Sequence, residues 1–330
     1  MSISLGVCRG SIRRTFGFLA SLLVTAFVIY RTRSDDDDVF ALRPYDAVNV
    51  LTDCSPQTTN ANPRIPNVVH QIWKDENIGE YPIYPSTEQW RTYFSPLNYT
   101  VKLWTEREIL HLITTSYPWL LSTYQSYPQN IQRADVARLA VVHSEGGIYA
   151  DLDAYPTSTE RIHCLQHLDH QAMLASTSGN GGISNHFFMA EKGSEFLLWA
   201  LHEAKRRAGP QSKHFPLPYL QVFWSTGPLM VTSIAREYSW TYNHTEATSK
   251  IGVIDDRYTR SFLQHAAGRS WHGPDGRALN YLADHAEAER RGLFVVFLFV
   301  ALGTVYVVVR RKLQAPAIGE IHLSTLGDSR

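Results

Sequence analysis

The residues best placed to do chemistry lie in one stretch, QRADVARLAVVHSEGGIYADLD (132–153). Asp151 and Asp153 form an Asp-x-Asp pair directly behind the apolar tetrapeptide 147–150, which reads as a short strand. Ligands of open α/β sheets gather beyond the carboxyl ends of strands. Carboxylates together with substrate phosphates are the usual ligand set for Mg²⁺ or Mn²⁺. A cation held there would neutralise charge on a departing diphosphate, so the pattern points to nucleotide-sugar chemistry. The blander reading is an acidic β-turn. Asp35 to Asp38 repeats the spacing, but in a polar stretch with no strand before it.

Asp135 and Arg138 stand at i,i+3 and share a helix face. Their surroundings are apolar (Ala134, Val136, Ala137, Leu139, Ala140), and a charged pair on a mostly buried helix needs hydrogen-bond partners beyond itself. Either a plain structural pair or a contact to sugar and phosphate satisfies that need. Further along, HAAGRSWHGPDG (265–276) holds His265, Trp271 and His272 among glycines that mark loops. A histidine there could complete a metal's coordination, although a lone loop histidine is more often a surface residue.

The elements that must position these groups follow from pattern. Strands are expected at 68–73, 99–104, 148–150, 172–175, 187–190 and 251–254. Helices are expected at 106–114, 118–126, 131–145, 194–207 and 228–237. The 131–145 helix is stopped by Gly146-Gly147, and Pro228 opens the last. Alternating strands and helices predict an α/β fold with a mostly parallel sheet.

The chain has 330 residues, with 31 basic and 31 acidic side chains. That balance argues against a nucleic-acid partner. Two apolar runs flank the globular part. The first, 16–30, is bracketed by arginines and is short for a bilayer span; an uncleaved signal anchor is favoured over a cleaved signal peptide because no small-residue cleavage site follows. The second, 292–309, contains no charged residue and reads as a transmembrane helix. The expected organisation is a cytosolic tail (1–15), the anchor (16–30), a polar stem (31–64), a lumenal domain (65–289), the second span (292–309) and a cytosolic tail (310–330). Asn98-Tyr-Thr100 and Asn243-His-Thr245 are N-glycosylation acceptor patterns and agree with a lumenal domain. Cys54 and Cys164 would share its oxidising side, either paired or as separate thiols.

In order and spacing, IPNVVHQIWK (65–74), SYPQNIQRADVARLAVVHSEGGIYADLDAYP (126–156), GISNHFFMAEKGSEF (182–196), STGP (225–228) and HAAGRSWHG (265–273) resemble glycosyltransferase family 32, and within it the fungal inositol-phosphoceramide mannosyltransferases. The resemblance implies a GT-A-type nucleotide-sugar-binding fold, GDP-mannose as donor, Mn²⁺ as cofactor with Mg²⁺ as the alternative, and retention of anomeric configuration. It assigns Trp73 to the nucleotide base, Asp135 and Arg138 to the donor sugar and phosphates, and Tyr149 to the donor pocket. Asp151 would reach the ribose and the metal's water shell, Asp153 the metal itself, and Asn185 the sugar. His265 is the first choice for a further metal ligand, His272 the second, and Trp271 would close over the donor. No carboxylate is placed on the sugar's other face, so none is named as nucleophile.

Ala150 stands where family members commonly have Leu, the helix before Gly-Gly lacks its usual aromatics, and 179–182 makes a glycine-rich approach to Asn185. Spans after the catalytic domain match the sphingolipid-mannosylating branch, implying a lipid acceptor at the Golgi membrane. Tethering at both ends would raise effective concentration at the bilayer. A small regulatory membrane subunit accompanies such enzymes. The alternatives are an enzyme extending N-glycans and a non-catalytic membrane subunit that keeps the fold.

Overall fold

The computed structural model describes residues 49–54, 63–176, 182–209, 217–242, 250–266, 273–278 and 280–281. All but the last pair belong to one compact unit, 38–279. Both apolar runs, Trp271, His272 and the Asn243 sequon lie outside the described residues. Among the described residues no helix is long and apolar enough to cross a membrane.

Among the described residues nine strands occur in chain order: β1 (Asn49–Leu51), β2 (Val68–Ile72), β3 (Thr100–Trp104), β4 (Gly147–Ala150), β5 (Ala154–Pro156), β6 (Ala172–Ser176), β7 (Ile183–Ala190), β8 (Ile251–Ile254) and β9 (Leu263–His265). Seven form one sheet in the order β1-β8-β6-β7-β4-β2-β3, and β5 pairs with β9 in a separate two-stranded ribbon. In the large sheet β7 is antiparallel to β4 and β6, while every other pairing is parallel. The mostly parallel α/β architecture is therefore present, with β7 alone reversed.

The helices are α1 (Thr87–Phe94), α2 (Glu106–Ser116), α3 (Pro118–Ser126), α4 (Asn130–Glu145), α5 (Thr159–Gln166), α6 (Glu195–Arg207), α7 (Pro218–Ser225), α8 (Pro228–Tyr242) and α9 (Asp256–Arg260). Successive strand residues face opposite sides, and the strands feed two cores. Tyr149, Leu174 and Phe188 join Val136, Leu201 and Ile234 on one side of the sheet. Ile148, Met173 and Phe187 join Trp90, Ile162 and Phe262 on the other. Covering both faces is what parallel strands require.

Helix α4 is the pillar of the first face. Val136 to Val142 are all buried, the signature of an interior helix rather than a surface one. It stops at Gly146, and Gly147 begins β4 with φ of +112°. A Cβ at Gly147 would stand 2.5 Å from the Val68 carbonyl oxygen, so only glycine lets β4 come this close to β2. His70, fully buried, bridges the junction. It accepts from Trp104 Nε1 at 3.0 Å and donates through Nε2 to the Gly146 carbonyl at 2.8 Å. Burial lowers its pKa despite that bond and nearby Glu145, which keeps the ring neutral.

Several elements depart from the sequence reading. β1 lies inside the span read as a stem and adds to the sheet beside β8. β7 starts at Ile183 rather than 187 and takes in the polar run Ser184, Asn185 and His186. α8 runs on to Tyr242 rather than 237, and α1, α5, α7 and α9 are additions. His265 sits at the end of β9 instead of on an irregular loop.

Candidate active site

Six strands of the sheet end on one side, and the carboxylates collect there. Asp151 follows β4, and its backbone N–H donates to the His186 carbonyl at 2.9 Å. The turn into β5 is held from below. Ser86 N–H donates to the Leu152 carbonyl at 2.8 Å. Gln71 Nε2 donates to Ser86 Oγ at 2.9 Å, and Thr87 Oγ1 donates to Gln71 Oε1 at 2.6 Å. β5 then pairs Ala154 with His265 of β9, and Ala266 N–H donates to the Asp153 carbonyl at 2.9 Å. The ribbon thus delivers the His265 Nε2 atom to 3.4 Å from Asp153 Oδ1.

Ligand atoms of Asp151, Asp153 and His265 all lie within 4.8 Å of one another. That spread suits a single ion about 2.1–2.4 Å from each donor. Two hard carboxylate oxygens and one imidazole nitrogen suit a divalent cation of the Mg²⁺ or Mn²⁺ kind. Asp153 is buried, whereas the side chains of Asp151 and His265 are 26% and 34% exposed, so the group opens to solvent on one side, where a substrate could approach.

Behind Asp151 lies a buried charge cluster. Arg138 of α4 is 3.2 Å from Asp151 and 3.4 Å from Asp135. It also donates to the Asn185 carbonyl at 2.8 Å and lies over the Tyr149 ring, 4.9 Å from its centroid. Tyr149 Oη donates to Asp151 Oδ1 at 2.7 Å. Asp135 accepts from Asn185 Nδ2 and from Thr226 Oγ1, each at 2.8 Å. Asp135 and Arg138 are only 3% and 4% exposed. Their contacts in this structure are to protein groups, Asp151, Asn185 and Thr226 among them. The need for partners beyond the pair is met by Thr226, Asn185 and Tyr149.

Burial pushes the pKa of both Asp135 and Asp151 up, and Arg138 pulls in the opposite direction. Arg138 itself is raised despite its burial, chiefly by Asp151. One guanidinium thus pairs with two carboxylates, those of Asp135 and Asp151. Burial also works against the charged form of His265, but Asp153, with Asp151 behind it, outweighs that and raises its pKa. His186 stacks on the His265 ring at 4.1 Å and bonds Ser184 Oγ through Nδ1. Burial and the neighbouring His265 lower its pKa to about 3, so it packs as a neutral ring.

The structure brings together Asp135, Arg138, Tyr149, Asp151, Asp153, Asn185 and His265. Trp73 follows β2 on the same side of the sheet, half-buried, with Tyr81 edge-on to its ring at 5.0 Å. Tyr81 was not foreseen. Burial, Asp153 and Asp151 raise its pKa and keep the phenol protonated. Thr226 was also missed as an individual residue, although the STGP segment that contains it stands out in the sequence. A separate groove of about 500 Å³ runs along α2, lined by Trp104, Arg107, His111 and Leu112 among others; none of the site residues lines it.

The sequence profile of the family described as glycosyltransferase sugar-binding region containing DXD motif matches residues 84–176, which include Asp135, Arg138, Asp151 and Asp153. Inositol phosphoceramide mannosyltransferase 3 of Schizosaccharomyces pombe is 33% identical over 258 residues, 76% of this chain and 66% of that protein. Mannosyl phosphorylinositol ceramide synthase SUR1 of Saccharomyces cerevisiae is 29% identical over 242 residues, 71% of this chain and 58% of that protein. The matches thus span about two thirds or less of these relatives' own lengths. Among solved structures, the PaToxG glycosyltransferase aligns over 69% of this chain and 79% of that one, at 15% identity and a TM-score of 0.37.

Proposed function

We propose, from the premise that the chain belongs to the glycosyltransferases whose sugar-binding region contains a DXD motif, that it moves mannose from GDP-mannose to inositol phosphoceramide. The fold is read as GT-A type, the resident cation as Mn²⁺ with Mg²⁺ as substitute, and the reaction as retaining. The names of the relatives support the acceptor and the sugar. The observation that carries the reading is the convergence of Asp151, Asp153 and His265 at the open end of the sheet.

Asp153, Asp151 and His265 would hold a divalent cation, which when bound would supply Lewis-acid neutralisation of the diphosphate leaving group. The remaining work falls to the chain. Arg138 and Tyr149 hold the Asp151 carboxylate in one orientation, and such preorganisation keeps electrostatic stabilisation free of reorganisation cost. Asp135 and Arg138 fix Asn185 at both its amide and its carbonyl. Trp73 and Tyr81 form an aromatic wall suited to a nucleotide base. A Golgi-membrane location with a lumenal catalytic domain follows from the membrane-span reading of 16–30 and 292–309, and the Cys54–Cys164 disulfide supports an oxidising compartment.

The test is Asp153→Ala in the purified chain, read by Mn²⁺ titration calorimetry and by mannose transfer from labelled GDP-mannose. Loss of both is expected, while Asn98→Gln, at the far end of the sheet, retains both. Undiminished Mn²⁺ affinity in Asp153→Ala removes the metal role, and transfer from UDP-glucose in preference to GDP-mannose removes the donor assignment.

A further inference from the structure

We propose that Asn98 is an N-linked glycosylation site whose glycan stands beside the open edge of the sheet, at the end opposite the Asp-Asp-His group. Three features of the structure meet at this residue. First, the sequon is displayed. Asn98 is exposed in a left-handed turn, φ +61°, and Thr100 is exposed at the start of β3. Tyr99 between them is turned into the core, 4% exposed, against Phe94 at 5.0 Å. Both recognition residues of the Asn-x-Thr pattern therefore face outward, and the apolar middle residue anchors the turn.

Second, β3 is an outermost strand. Such a strand offers unpaired backbone groups to other chains, and proteins usually cover or blunt it. Tyr93 and Leu97, 43% and 44% exposed, lie just ahead of Asn98 in the chain. Among the described residues they are two of the few large apolar side chains left open. A hydrated oligosaccharide at Asn98 would shield both the strand edge and these side chains.

Third, the position leaves the catalytic end free. β2 and β3 are parallel, with Val68 opposite Thr100 and Ile72 opposite Trp104. Asn98 precedes the amino ends of these strands, whereas Asp151 follows the carboxyl end of β4, which runs parallel to β2. The glycan and the substrate would occupy opposite rims. The disulfide between Cys54 and Cys164 fits a domain in an oxidising compartment, where such bonds persist and where the modifying machinery works.

The co-substrate is a lipid-pyrophosphate-linked oligosaccharide. The Asn98 amide nitrogen bonds to C1 of the first sugar, the C1–oxygen bond to the pyrophosphate breaks, the lipid pyrophosphate leaves, and the amide gives up one proton. No redox partner is involved. The site is independent of the transfer reaction proposed above, and its test reads occupancy rather than turnover.

The full chain is expressed in a eukaryotic secretory host and treated with peptide N-glycosidase in ¹⁸O water. Wild type and Thr100→Ser are expected to gain mobility and to carry ¹⁸O-labelled Asp at position 98. Asn98→Gln and Thr100→Val are expected to lose that label while keeping kcat for mannose transfer. Asn243→Gln, run alongside, separates the second sequon from the first. An unmodified Asn98 peptide from chains with an intact Cys54–Cys164 bond overturns the proposal. So does an unmodified peptide accompanied by free thiols, which would place the domain outside the secretory lumen.

Discussion

Replacing Arg138 with Met keeps most of the side chain's volume and removes the cation that the structure sets between Asp135 and Asp151. At 3.2 and 3.4 Å, each attraction is worth about 5 kcal/mol at an effective dielectric constant of about 20. Desolvation of a fully buried guanidinium offsets much of this. Removing one partner of a buried pair nevertheless leaves the other stranded, at a cost of about 3–5 kcal/mol. For a domain of this size 1 kcal/mol moves the melting temperature by about 2–4 °C, so the loss lies in the range of about 6–20 °C. The assay is thermal unfolding of the purified chain, followed by circular dichroism, for Arg138→Met, Asp135→Asn and the double variant. The double variant is expected to recover at least about 1 kcal/mol relative to additivity, as groups within one network do. If the chain carries out the mannose transfer proposed above, that activity is expected to fall sharply in Arg138→Met, because Asp151 loses its fixed orientation. Stability within about 0.5 kcal/mol of wild type, the range of ordinary surface substitutions, together with unchanged transfer, would refute the claim that Arg138 organises the cluster.

Acid should weaken the fold through His170, which is buried and bonded to Asn49 through Nε2 at 3.0 Å. Burial lowers its pKa from 6.5 to about 4. Its contribution is fully present above about pH 6.5 and is lost as pH falls through about 4, at most about 3 kcal/mol by linkage. His170→Phe should flatten that part of a urea-stability profile between pH 4 and 7, and an unchanged profile would exclude His170 as the cause. Replacing Cys54 and Cys164 with Ala together should cost about 2–4 kcal/mol, read as a lower urea midpoint than that of the oxidised wild type. Reductant should shift the wild type to the same value and leave the double variant unmoved.

The centre of the site was legible because it is local. Helix α4, the Gly-Gly stop, β4 and Asp-x-Asp follow one another without interruption, so the sequence put the Asp-x-Asp pair at a strand end and Asp135 and Arg138 on one helix face, while the resemblance joined them in one site. The partner ribbon was not legible in the same way. β5 and β9 have three residues each, too few for periodicity to register, and they meet across a long stretch of chain. His265 therefore looked like a loop residue, and only the family resemblance singled it out as a ligand. β1 was hidden by its polar neighbours, which gave the segment a linker's composition. The Cys54–Cys164 pairing stayed open for the same reason, since nothing in the sequence says that a stem folds back onto a sheet. Asn185 is bonded to Asp135 and Arg138, partners that the sequence did not reveal. Its role is set by the reversed strand β7, whose direction hydropathy does not reveal.

The β5–β9 ribbon also imposes a timetable. Asp151 and Asp153 leave the ribosome early, and their histidine partner emerges only when the described fold is nearly complete. Domains form as their sequence becomes available during synthesis, so a growing chain holds an acidic half-site that lacks its third arm. The ion capture proposed for the three-residue group thus depends on completing the fold, and a chain halted before residue 265 would carry the Asp-x-Asp signature without the three-sided grip.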